Sequence, residues 1–154
     1  MTKLLLSLHV LAAILAVGPV TVAASMFPGV LRRLRGNPGG EDAAILRVLH
    51  RICRVYAAIG IALLLFGFGT AISLGVLSSP WLITSIILTF AAAAVLILLI
   101  LPAQEDALSS ALEPGADSPL PSIGRLAMTT GVFNLLWATV TILMIIRPGS
   151  TTGA

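Results

Sequence analysis

The chain has 154 residues, 58% of them apolar and only 10% charged, with a formal net charge of +3. Soluble domains carry about a quarter charged residues, so this composition excludes an ordinary water-soluble fold. All nine Lys and Arg residues lie outside the long apolar runs or at their ends, which makes the positive charge a topology and head-group signal rather than a nucleic-acid footprint.

Four uncharged apolar runs span Leu4–Phe27, Val55–Leu77, Trp81–Leu101 and Leu126–Ile146, each of 21 to 24 residues. A helix needs ~20 residues to cross the hydrocarbon core, and lipid offers backbone groups no water, so each run is expected to be a membrane helix. The expected fold is all-α: a single domain over residues 1–154, a bundle of four transmembrane helices running up-down-up-down.

The first run holds His9 and Pro19. Lys3 and the small residues Val22-Ala23-Ala24 resemble a secretory signal, but the run is long for one and the cluster Arg32, Arg33 and Arg35 follows at once. A retained helix is the preferred reading. The first loop, residues 28–54, adds Arg47, Arg51 and Arg54, and its expected role is contact with anionic lipid head groups. Asn37-Pro38-Gly39-Gly40 marks a turn, after which Glu41 and Asp42 suit a helix N-terminus. The second helix is therefore expected to start near Asp42 and run to Leu77.

That helix carries Gly60, Gly67, Ala71 and Gly75, a ridge of small residues that predicts close approach of a neighbouring helix. Ser78-Ser79-Pro80 is a tight turn. After the third run comes a loop over residues 102–125, rich in Pro and Ser, with Glu105, Asp106, Glu113 and Asp117; Gln104–Leu112 reads as one short amphipathic helix within it. Its acids are expected to face the first-loop arginines. The two long loops hold seven Lys and Arg, against Lys3 and Arg147 on the other side, which predicts cytoplasmic loops and both termini outside.

Pro19 cannot donate to the Leu15 carbonyl. Counted from the outer ends, Leu15 and Asn134 lie at about equal depth, which predicts a bond from the Asn134 amide to that carbonyl. His9 sits about 7.5 Å inside the same end. Ser73, Thr84, Ser85 and Thr141 fall at its counted depth and predict a polar layer around it. Two readings of His9 stand: a neutral side chain bonded to one of these hydroxyls, or a functional group, as intramembrane ionisable residues often are. No acid–base pair, nucleophile triad or metal-ligand set stands out in the sequence, and no catalytic residue or metal site is assigned.

The opening LLLSLHVLAAILAVGPV resembles the first helix of a broad group of small bacterial membrane proteins that includes a copper-resistance D type and a haem-associated protoporphyrinogen oxidase type. Over its full length the chain resembles an uncharacterised four-helix branch, domain-of-unknown-function family 2269. The tail TGVFNLLWATVTILMIIRPG is similar to actinobacterial members of that kind. The resemblance implies a bacterial cytoplasmic-membrane protein. It also implies that His9 matches the first-helix histidine of the haem-associated relatives, with haem as the cofactor. Their later-helix basic residue has no counterpart in the third run, and the extra His and Met groups of the copper type are missing.

Three functions are weighed. The preferred one is a non-enzymatic structural or accessory bundle, engaging the bilayer, a second copy or another membrane protein. The alternatives are a haem- or redox-linked protein using His9, and a small oligomeric transporter or channel lined by the polar layer.

Overall fold

The computed structural model describes residues 2–36, 40–73, 78–112, 122–146 and 148; the side chains of residues 2–10, Phe66, Thr70, Ser73 and Leu112 lie outside that description. Among the described residues every regular element is helical: α1 (Thr2–Gly36), α2 (Gly40–Ser73), α3 (Pro80–Ala94), a π-helical stretch (Val95–Ile100), α4 (Leu101–Leu112) and α5 (Ile123–Ile146). Four stretches are long and apolar enough to cross a membrane: Leu11–Gly36, Gly40–Gly69, Pro80–Ala111 and Ile123–Ile146.

The helix starts follow local chemistry. Glu41 and Asp42 occupy the first turn of α2, near the expected start. Pro80 stands just inside α3, where its missing N–H costs nothing, and the Ser79 carbonyl accepts from the Leu82 and Ile83 amides at 3.0 and 3.1 Å. Ser122 caps α5, its hydroxyl accepting from the Arg125 amide at 3.3 Å.

Two boundaries differ from the sequence reading. The first run was expected to end at Phe27, yet α1 continues through Pro28 to Gly36. Proline removes one backbone bond, here to the Ala24 carbonyl, and crowds the preceding turn. Phe27, Val30 and Leu31 are all at most 2% exposed, and their packing holds the helix across that defect. The third run was expected to end before Pro102, yet the helix runs on to Leu112. The expected helix over Gln104–Leu112 is there, but as a continuation of α3 rather than a separate piece. The backbone widens just before Pro102: the Leu101 N–H bonds the Leu96 carbonyl, five residues back. Proline breaks the ordinary four-residue ladder, and a π turn is a common local adjustment. Leu96, Ile100, Gln104 and Ala107 thereby keep one buried face across the join. The expected loops over 28–54 and 102–125 are thus largely helical where described; Glu113 and Asp117 lie outside the described residues.

Packing is uneven. α1 packs most extensively on α2, α5 packs on α3 and α1, and α2 turns to α4 rather than α3. The continuous core joins Val20–Leu31 of α1, Leu46–Ala57 of α2, Ala92–Ala107 and Leu126–Phe133. An ion pair between Arg33 and Asp42, at 3.2 Å, ties α1 to α2; the sequence had suggested the acids after Pro102 as partners for the first-loop arginines.

Candidate functional site

A buried cluster of polar side chains from two helices lies where α2 meets α4. Residues 46, 49, 53 and 57 repeat at helical spacing, so α2 turns Leu46, Leu49, Cys53 and Ala57 inward. His50 lies at the edge of this face, one turn before Cys53, and is half-buried. α4 brings the fully buried Gln104 against both. Its Oε1 lies 3.2 Å from His50 Nδ1, and its Nε2 donates to Cys53 Sγ at 3.6 Å. A buried amide is costly unless both ends are bonded, and Gln104 meets that requirement through α2 alone. With the carbonyl facing Nδ1, that nitrogen is the donor, and in this tautomer Nε2 is an acceptor.

His50 also borders a crevice of about 160 Å³ with Arg54, Ile97, Leu101, Pro102 and Glu105. A cation, a carboxylate and an imidazole therefore share one small recess. Ile97, on the π-helical stretch, forms part of a second wall as well. It borders an apolar slot of about 140 Å³ that includes Val20, Tyr56, Gly60, Phe133 and Trp137. Phe133 and Trp137 meet edge to face, with ring centroids 6.5 Å apart. The two recesses adjoin through Ile97: one is charged, the other almost wholly apolar.

The sequence pointed elsewhere. His9 lies on α1, but its side chain is outside the described residues, as are the Ser73 side chain and Gly75. Thr84 and Thr141 do not turn inward to a polar layer: both are exposed, and each hydroxyl donates to the carbonyl four residues back, Pro80 and Trp137, at 2.9 Å. A hydroxyl on an apolar helix face satisfies itself on its own backbone. Of the expected hydroxyls Ser85 is buried, and the other buried ones are Thr89 and Thr130. Ser85 and Thr89 donate to the carbonyls of Trp81 and Ser85, at 2.8 and 2.6 Å, while Thr130 Oγ1 has no hydrogen-bond partner.

Asn134 does join α5 to α1, but not through Leu15. Its Nδ2 donates to Ser25 Oγ at 3.2 Å, ten residues or about 15 Å along α1 from Leu15. Depth counting failed because α1 has 35 residues and α5 has 24, and the Asn134–Ser25 contact leaves the Thr2 end of α1 beyond the Ile146 end of α5. Pro19 sits inside α1 and is half-buried, while Leu15 is 61% exposed.

The small-residue ridge is corrected in part. Ala71 is buried, but a methyl group added at Gly60 would meet no atom within 4 Å. Gly60 and Gly67 line the slot, and Gly60 receives no neighbour's backbone. Arg32, Arg33, Arg35, Arg47, Arg51 and Arg54 are all exposed.

Gln104 is the residue that the sequence reading missed. It opens the short helix expected over Gln104–Leu112, but that helix was placed in a loop beyond the third apolar run, where nothing marked it as buried. The usable signal was its position four residues beyond Ile100 and three before Ala107, a buried-face spacing carried past Pro102. Among the described residues no three His, Cys, Asp or Glu side chains group as a metal site. No family model, curated protein or solved structure matches this chain.

Proposed function

We propose that the chain is a four-span, up-down-up-down protein of a bacterial cytoplasmic membrane, of the kind its opening helix resembles. Both termini lie outside, and the α1–α2 connection lies in the cytoplasm. Its role is that of an accessory bundle that engages the bilayer and partners within it. The observation that carries this reading is the split of its surface. Six exposed arginines collar the α1–α2 end, while Leu65, Leu98 and Leu135 stand 68–71% exposed on the flanks. Apolar flanks suit lipid tails, and a basic collar suits anionic head groups.

Reconstitution tests it. The protein should insert more efficiently into vesicles containing anionic phospholipid than into wholly zwitterionic ones. Replacing Arg47, Arg51 and Arg54 with Gln should remove most of that preference; an unchanged preference would contradict the collar's role. A visible spectrum of the purified protein separates this reading from the haem alternative. The accessory reading expects no Soret band, and a Soret band lost in His9→Ala would replace it.

A further inference from the structure

We propose that the apolar slot and the charged crevice beside it form one binding site for a single amino-phospholipid of the surrounding bilayer. A segment of one acyl chain occupies the slot, the phosphate meets Arg54, and the head-group ammonium meets Glu105 and His50 Nε2. The proposal rests on the reading that the chain spans a membrane.

The slot has the shape and polarity for an acyl chain. Along α2 its lining runs from Tyr56 to Gly67, about 16 Å at the helical rise. Half the hydrocarbon core is ~15 Å thick, so the slot's lining extends over about the depth of one leaflet. Its volume of about 140 Å³ is close to that of apolar protein cavities that stay dry and take up small hydrocarbons. Left empty, such a void deprives its lining of dispersion contacts on one side. Glycine and alanine create the room: Gly60 has open space where a side chain would stand.

The slot also has an entrance. Ile61 and Ile97 line it and are 42% and 37% exposed. They stand on α2 and on the extension of α3, the pair that shares little packing because α2 turns to α1 and α4. The gap between them faces the lipid.

The crevice supplies the head-group chemistry. Arg54 precedes Tyr56 and Ala57 of the slot by less than one turn, and Ile97 borders both recesses. Arginine binds phosphate through several N–H donors. His50 has its Nδ1 engaged by Gln104, which fixes the ring and leaves the Nε2 lone pair to accept from the head-group ammonium. Glu105 decides the class of lipid. A purely anionic head group would sit beside its carboxylate without compensation, whereas a primary ammonium gives it a donor and a charge partner. Phosphate and ammonium on one head group match Arg54 and Glu105 in one recess.

Trp137 borders the slot and reports on its occupant; the other tryptophan, Trp81, lies at the start of α3. The test uses the full chain carrying Trp81→Phe, reconstituted in phosphatidylcholine vesicles. Small equal amounts of lipid with brominated acyl chains are added as phosphatidylethanolamine, phosphatidylglycerol or phosphatidylcholine, and Trp137 fluorescence is read. The expected result is at least twofold stronger quenching by the ethanolamine lipid. Gly60→Leu, which fills the slot, should abolish that excess. Glu105→Gln, at an exposed position, should remove the preference over phosphatidylglycerol while leaving the quenching itself. Quenching that ignores the head group, or that Gly60→Leu leaves unchanged, overturns the proposal. Alkaline extraction of the same vesicles keeps the two readings apart. A chain that stays in the membrane with head-group-blind quenching refutes the site alone, and a chain that washes out refutes the membrane-spanning reading and the site with it.

Discussion

The two ends of the bundle are built differently. Near the α1–α2 connection the helices interlock: Phe27, Leu46, Cys53, Ile100, Gln104 and Ala107 are all fully buried. Toward the other end, the buried set thins to small or polar residues such as Ala16, Ala71, Ser85 and Thr89, and the slot opens between α2 and α3. The contrast follows from where the bulky side chains face. α1 and α2 direct Phe27, Leu31, Leu46 and Leu49 inward at one end, but Leu11, Ile14, Leu15 and Leu65 outward at the other. In lipid, outward leucines cost nothing, and helices associate by fitting surfaces rather than by hiding from water. One end is therefore organised for cohesion, and the other leaves room for a guest.

Substitutions can break or sharpen this contrast. The largest effect is expected at Phe27→Ala, which opens a void in the interlocked end and should cost about 3 kcal/mol in a denaturant titration in detergent. Leu64→Ala, on the slot wall, should cost well under half of that; equal losses would erase the distinction. Gln104→Ala comes next, at about 1–3 kcal/mol, because it strips the partner from His50 Nδ1 and from Cys53. The link between α1 and α5 should respond asymmetrically. Ser25→Ala leaves the Asn134 amide with neither end bonded and should cost about 1 kcal/mol. Asn134→Leu also removes the buried carbonyl Oδ1 that has no partner, and should cost less. Gly60→Ala carries the opposite sign. With open space at its Cβ position, the gain in helix propensity should stabilise the bundle by about 0.5–1 kcal/mol; destabilisation would restore the close-approach reading of the ridge. The smallest change is expected at Asp42→Asn. Its ion pair with Arg33 is solvent-exposed, and the loss should be about 0.5 kcal/mol or less.

The helices were largely legible in the sequence because long, uncharged apolar runs have few other ways to satisfy their backbone: apolar length alone identifies them. The start of α2 was legible too, from the Asn-Pro-Gly-Gly turn and the two acids. The ends of α1 and of the α3–α4 rod were not. Pro28 and Pro102 read as breaks, and only tertiary packing and the π turn reveal why the backbone continues past them. The Asn134 link between α1 and α5 was legible, whereas its acceptor was not, because residue counting assumes that helix ends are level. The charged crevice stayed hidden for the same reason as Gln104. It forms between α2 and a short helix expected to stand apart from the runs, so no spacing within one run brings His50, Arg54 and Glu105 together.

The most direct test of the account is the side of the membrane on which the interlocked end lies. Cysteines placed singly at Gly40 and at Ser79 are challenged in intact cells with a membrane-impermeant maleimide, and Cys53, fully buried, serves as the unlabelled internal control. The account predicts that Ser79→Cys labels in intact cells and that Gly40→Cys labels only after the membrane is opened. Labelling of Gly40→Cys from outside, with Ser79→Cys protected, would contradict it.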